Sequence, residues 1–193
     1  MSTDAALLFD LDGTLADTWE VNYRSYRDSL AESGIVCARE VFATCFGGHW
    51  RDFLPRLVGS CDEGRLQRLH QRKLELYPQH LGAARANRPL IHLLRTARPA
   101  WPIGLVTTAS RHSTCLILSH LGLSDAFDSI VTGDDVARAK PDAEGYCRCL
   151  SALRASAASS LAFEDSPTGI AAARSAGLEV MVVSGFANSD PGS

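Results

Sequence analysis

The chain has 193 residues, 46% of them hydrophobic and 21% charged, with a formal net charge of -3 and a pI near 6.0. That balance excludes a surface that binds polyanions through bulk electrostatics, and no stretch offers the roughly 18 uninterrupted apolar residues of a membrane span. The first residues lack the basic, apolar and small-residue order of a secretory leader; a soluble, cytoplasmic protein is expected, of a length that suits one domain with a substantial insertion.

The first apolar run, Ala5 to Phe9, reads as a fully buried strand. It runs into FDLDGTLADT, where Asp10 and Asp12 stand at the strand's exit ahead of Gly13 and Thr14. Gly13 lets the backbone leave the strand sharply, so both carboxylates can project into a crevice at the sheet edge. A simple helix cap at Asp12 is the competing reading. A calcium loop is excluded: counting from Asp10, its sixth position holds Leu15 instead of Gly, and its twelfth holds Val21 instead of Glu.

From 15 to 88 the pattern is helical, polar and aromatic, as in Arg65 to Tyr77, with no core strand. This predicts a helical insertion directly after the first strand, returning at Arg88-Pro89, because Pro disfavours helix in the residue before it. Apolar runs then recur at Ile103 to Thr107, Ser129 to Thr132, Ser160 to Phe163 and Glu179 to Val183, separated by helical patterns at Ser113 to Leu121, Ala143 to Leu153 and Gly169 to Ala176. Strands alternating with helices predict an α/β fold whose parallel sheet is covered on both faces and binds ligands at its carboxyl edge. The polar tail from Asn188 to Ser193 is expected to fray. Six cysteines without metal-site spacing read as free, mostly buried thiols.

A second acidic strand end lies in LAFEDSPTGIAAARSAG, where Glu164 and Asp165 follow an apolar run, Ser166-Pro167 suits a first helical turn and Gly177 suits its end. If the two ends meet, Asp10, Asp12, Glu164 and Asp165 share one crevice, and each carboxylate pair at 4 Å costs roughly 4 kcal/mol at an effective dielectric near 20. A hard divalent ion such as Mg²⁺ suits that cluster. IGLVTTAS ends another strand in Thr107 and Thr108, followed by Ala109, whose N-H is expected to be accessible; together they could grip a phosphate oxygen. ARAKPD places Lys140 before Pro141, in extended backbone on the exit loop of the third strand.

In this order and spacing, DxDGT at Asp10 to Thr14, the hydroxyls Thr107-Thr108, Lys140-Pro141 and Glu164-Asp165 with SPTGIAAARSAG resemble the four motifs of the haloacid dehalogenase-like superfamily. The closest subgroup is the β-phosphoglucomutase-like sugar phosphatases, with a helical cap after the first motif. The resemblance covers essentially the whole chain, strongly in the core and weakly in the cap. It implies a Rossmann-like core of residues 1–14 and 89–193, a helical cap of residues 15–88, Mg²⁺ dependence and phosphoryl transfer through an aspartyl phosphate. Asp10 matches the family's nucleophile. Asp12 matches the general acid and base, its backbone carbonyl a further metal ligand. Thr108 with the Ala109 amide matches the phosphate-binding position, with Thr107 one residue away, and Lys140 matches the cation that neutralises nucleophile and phosphoryl oxygens. Glu164 and Asp165 match the acidic metal pair. The superfamily's dehalogenases need no such leaving-group acid and no metal, so Asp12 and the Glu164-Asp165 pair argue against that branch.

In the cap, FGGHWRDFL resembles the substrate-specificity loop, with Gly48 and Arg51 at matching positions, and Lys73 in QRKLELY resembles a cap lysine facing the sugar. A helix-surface role for Arg51 is the competing reading. Asn22 stands where the mutases carry a histidine, and Gly47 where they carry a lysine. Both changes remove groups tied to re-phosphorylating a bound sugar bisphosphate. Pro89-Leu90 replaces the usual Pro-Gly at the cap's return. The histidines His49, His70 and His80 are read as surface or packing residues, and Trp50 as a packing residue, with a place in the pocket lining as the competing reading. The expected activity is Mg²⁺-dependent hydrolysis of a small phosphorylated metabolite, a hexose or pentose phosphate, by a monomer that binds neither nucleic acid nor membrane. The alternatives are a β-phosphoglucomutase and a non-catalytic phosphometabolite-binding protein on the same fold.

Overall fold

The computed structural model describes residues 4–45, 49–59, 61–184 and 186. The first strand is β1 (Leu7–Phe9), followed by β2 (Ala16–Asp17) and four helices, α1 (Trp19–Ala31), α2 (Arg39–Ala43), α3 (Trp50–Val58) and α4 (Glu63–His80). Next come β3 (Arg85–Ala86), α5 (Arg88–Ala97), β4 (Ile103–Val106), α6 (Arg111–His120) and β5 (Ser129–Val131). The chain closes with α7 (Glu144–Leu153), β6 (Leu161–Glu164), α8 (Pro167–Ser175) and β7 (Glu179–Val182). Five strands form one parallel sheet in the order β5-β4-β1-β6-β7, so the strand carrying Asp10 at its exit lies at the centre. No helix among the described residues is long and apolar enough to cross a membrane.

Side-chain alternation along β1 feeds two cores. Phe9 packs with α5 and α6 residues such as Leu94, Ile117 and Leu118, while Ala6 and Leu8 pack with Tyr146, Cys149, Ala172 and Ala173 of α7 and α8. The sheet is therefore covered on both faces, as the alternating pattern predicts. A third cluster joins Tyr26, Leu30, Phe42, Phe53, Leu54, Leu66 and Leu69 of α1 to α4 with Cys37 and Cys45 of the connecting loops. The amphipathic helices of the segment after β1 thus bury their apolar faces chiefly against one another.

Arg88 is helical, although Pro disfavours helix in the residue before it. Arg88 opens α5, with Asn87 accepting from Leu90 N as its cap. Pro is tolerated in a first helical turn, whose N-H groups have no intrahelical acceptor in any case. A two-residue antiparallel ribbon, Ala16 with Ala86 and Asp17 with Arg85, pairs the two ends of the helical segment. All six cysteines are free; Cys37, Cys45 and Cys149 are buried, whereas Cys115 and Cys147 are exposed. Gly47, Gly48 and the tail from Asn188 lie outside the described residues.

Candidate active site

The carboxyl ends of β4, β1 and β6 lie side by side at one edge of the sheet, next to a crevice lined by Asp12 and Thr108. Asp10 extends the β1 ladder by donating its N-H to the Phe163 carbonyl at 3.0 Å, which holds its carboxylate at the sheet edge. The backbone then turns at Gly13, whose φ is +93°. A Cβ there would stand 2.1 Å from Asp165 Oδ2, so only glycine permits both the turn and the approach of the second acidic strand end. Gly169 has the same meaning on α8: a Cβ would meet Glu164 Oε1 at 2.0 Å.

Asp10, Glu164 and Asp165 each offer an oxygen within 4.8 Å of the others. Lys140, in a cis Lys140-Pro141 pair, donates from Nζ to Asp10 Oδ1 at 2.7 Å, to Glu164 Oε1 at 2.5 Å and to the Val106 carbonyl at 2.9 Å. Tyr146 donates its hydroxyl to the same Glu164 oxygen at 2.8 Å, and Thr14 donates to Asp165 Oδ1 at 3.2 Å. Asp10 Oδ2, although buried, has no hydrogen-bond partner. An orphaned carboxylate oxygen is costly unless something else binds it. Three carboxylates against one ammonium also leave two formal negative charges. An oxygen-only donor set, an orphaned oxygen and a residual charge of that size fit a hard divalent cation.

The electrostatics bear the same imprint. Burial raises the Asp10 carboxyl well above its ordinary range, Glu164 adds to this, and Lys140 opposes it. Burial and the charge of Glu164 raise Asp165 to about 6. Burial would lower Lys140, yet Asp10 and Glu164 hold it above the ordinary lysine value.

Asp12 stands apart from the three acids and faces the crevice. Its Oδ1 accepts from the Thr18 hydroxyl and its Oδ2 from Thr107 Oγ1 at 3.4 Å. Burial raises its pKa, against the lowering effect of the Thr18 bond. Thr107 is thereby engaged: its hydroxyl also accepts the Ala109 N-H at 3.1 Å. The free Ala109 amide expected from sequence is a turn hydrogen bond instead. Thr108, Ala109 and Ser110 line the crevice.

Across the crevice stand residues of α1, α3 and α4, including Asn22, Tyr26, Trp50, His70, Lys73 and Tyr77. Lys73 is 4% exposed, with its Nζ over the Tyr77 ring at 4.2 Å and the Tyr26 ring at 5.1 Å. Burial lowers its pKa to about 7, opposed only by Asp12. Asn22 donates to the Thr18 carbonyl and hydroxyl at 3.1 and 3.2 Å. Arg51 does not line the crevice; its guanidinium lies 4.3 Å over Trp50 and pairs with Glu63 at 3.4 Å on the exposed surface. His70 packs flat on Trp50, in keeping with the packing reading, and also lines the crevice. Its sequence signal was the spacing from Lys73 and Tyr77, three and seven residues on, which puts all three on one helix face. Thr18 and Tyr146 carried no signal, since a lone hydroxyl gains meaning only from what folds beside it.

The model of the haloacid dehalogenase-like hydrolase family matches residues 7–183. The chain belongs to this family. Among relatives of this haloacid dehalogenase-like hydrolase, the validoxylamine A 7'-phosphate phosphatase of Streptomyces hygroscopicus subsp. limoneus is 32% identical over 176 residues, covering 89% of this chain and 81% of its own. The phosphorylated carbohydrates phosphatase of Thermotoga maritima is 29% identical over 179 residues, 90% of this chain and 82% of its own. The crystal structure of CbbY from Rhodobacter sphaeroides in complex with phosphate superposes with a TM-score of 0.85 at 26% identity, covering 96% of this chain and 88% of that one.

Proposed function

We propose that the crevice hydrolyses a small phosphomonoester, a sugar phosphate, with Asp10 as nucleophile and residues 15–88 acting as a cap over the core. The chain is a phosphoric monoester hydrolase of its family. The single observation that carries the detailed reading is the convergence of Asp10, Glu164 and Asp165 around Lys140 with one buried Asp10 oxygen left unpaired. The Thermotoga maritima relative is a phosphorylated carbohydrates phosphatase, which supports the substrate class.

Asp10, Glu164 and Asp165 would hold Mg²⁺, which when bound supplies positive charge beside the phosphoryl oxygens. An Asp10 oxygen attacks phosphorus, and the bond from phosphorus to the leaving oxygen breaks as that oxygen takes a proton from Asp12. Burial raises the pKa of Asp12, which favours the protonated acid that the leaving oxygen needs. Asp12, now a carboxylate, takes a proton from water, whose oxygen attacks phosphorus and releases phosphate from Asp10. Lys140 stays within hydrogen-bond distance of the nucleophile and offsets charge that grows in each displacement. Positioned charge has to supply most of the acceleration, which for phosphate monoesters approaches ~10²¹. Asn22 is engaged with Thr18 and has no titratable proton to time, which favours hydrolysis over mutase chemistry.

The test is a phosphate-release screen over sugar phosphates, nucleotides and phosphorylated acids, with Mg²⁺ or with EDTA. Release from sugar phosphates that EDTA abolishes is expected. Because Asp165 must be ionised to bind a cation, the Mg²⁺ concentration for half-maximal rate should rise as pH falls below about 6. Conversion of β-glucose 1-phosphate to glucose 6-phosphate without free phosphate would overturn the reading in favour of the mutase.

A further inference from the structure

The aromatic side chains facing the crevice are engaged with one another or with cations, so they offer little open ring surface. Trp50 stacks on His70 at 4.3 Å and 7°, and the Arg51 guanidinium lies 4.3 Å from the centroid of its ring. Tyr77 carries Lys73, and Tyr26, Phe42 and Phe53 pack against each other at tilted or edge-on angles. A ligand meeting this wall finds nitrogen donors in place of stacking platforms.

His70 is one of them. Its Nδ1 lies 2.9 Å from the hydroxyl of Tyr26, a residue only 2% exposed. The Tyr26 hydroxyl has one proton to place, and His70 Nδ1 is the partner within hydrogen-bond distance of it among the described residues. Satisfying it fixes the tautomer that carries its proton on Nε2. Trp50 holds the ring plane, and Nε2 itself has no partner among the described residues. Burial and the neighbouring Lys73 keep the ring neutral, with its pKa lowered to about 3. His70 and Lys73 thus present a neutral N-H and a cationic N-H group side by side on α4.

We propose that His70 is a specificity-determining residue whose Nε2-H donates to a hydroxyl oxygen of the substrate beyond its phosphoryl group, so that, with Lys73, the crevice selects polyol phosphates over esters with an aromatic moiety. This rests on the phosphatase reading and names the feature of the substrate that is read. Tyr26 and Trp50 are positioning residues for that contact.

The experiment compares wild type, His70→Phe and His70→Gln on glucose 6-phosphate, fructose 1-phosphate, ribose 5-phosphate, adenosine 5'-monophosphate and p-nitrophenyl phosphate. His70→Phe preserves a ring against Trp50 but removes the donor; His70→Gln restores an N-H at similar reach. On the sugar phosphate with the highest kcat/KM, His70→Phe should raise KM about tenfold more than on p-nitrophenyl phosphate, and His70→Gln should recover most of that difference. An equal loss on both substrates, or no rescue by Gln, overturns the assignment alone. Wild type that releases phosphate from p-nitrophenyl phosphate or the nucleotide but from no sugar phosphate overturns the sugar-phosphate reading and this assignment together.

Discussion

Lys140 and Lys73 are both buried amines whose charges reach Asp12, but they live in opposite surroundings. Lys140, its side chain 7% exposed, touches two carboxylates and a carbonyl, and its pKa is held up. Lys73 has no carboxylate within ion-pair distance among the described residues, only two aromatic faces, and burial pulls its pKa to about 7. A buried cation with carboxylate partners is compensated in place, whereas a buried cation without a partner raises the energy of the protein with nothing bound. Lys140 is therefore neutralised before anything binds, although the three acids around it exceed its charge. The helical segment carries a positive charge whose partner the substrate would bring.

Three substitutions test that contrast. Asp10→Asn should lower phosphate release from p-nitrophenyl phosphate by about 10³-fold or more, with an unchanged circular dichroism spectrum. A variant that keeps its rate would move the chemistry away from the sheet edge and dissolve the distinction. Lys140→Ala comes next: kcat should fall about 10²- to 10³-fold, and urea unfolding in EDTA should show a loss of about 3–5 kcal/mol, because Asp10 and Glu164 lose their shared cation.

Lys73→Met should have the smallest effect on turnover and the opposite effect on stability. KM for the favoured sugar phosphate should rise about tenfold, while Tm at pH 7 should increase by about 2–4 °C, the equivalent of about 1 kcal/mol in a chain of this size. The sign follows from linkage. Lys73 is held at about 7 in the folded protein, against about 10.4 in the unfolded chain. Between those values the unfolded chain binds the extra proton, so wild-type stability rises with pH; below about 7 the burial penalty is fully present. The Tm advantage of Lys73→Met should therefore shrink from pH 7 to pH 10. A constant advantage would mean that packing, not charge, separates the two variants.

The five strands of the parallel sheet were legible in the sequence because each is a short apolar run ended by a polar or turn residue, and a central parallel strand needs both faces apolar. Their bounds moved by one or two residues where side chains replaced the ladder. Ser160 Oγ accepts the Ala6 N-H, and Thr132 caps the turn that follows β5 through Asp135. The ribbon of β2 and β3 was illegible, since two residues carry no period. Asp10, Lys140, Glu164 and Asp165 could be singled out because carboxylates at a strand exit have few structural uses. Arg51 could not be assigned, because whether an arginine on a helix turns inward depends on its neighbours, and here Trp50 and Glu63 hold it outside.

By itself the sequence determined which side chains were available to the chemistry and the layered architecture that would carry them. Both are written in local terms, as apolar runs, glycine turns and acids at strand ends. The tertiary structure decided which hydroxyl is engaged at Thr107, which oxygen of Asp10 is left unpaired, and that His70 faces the crevice. Those outcomes are set by contacts between residues distant in the chain, such as Thr107 with Asp12 or Tyr26 with His70, and no local pattern encodes the distance between them.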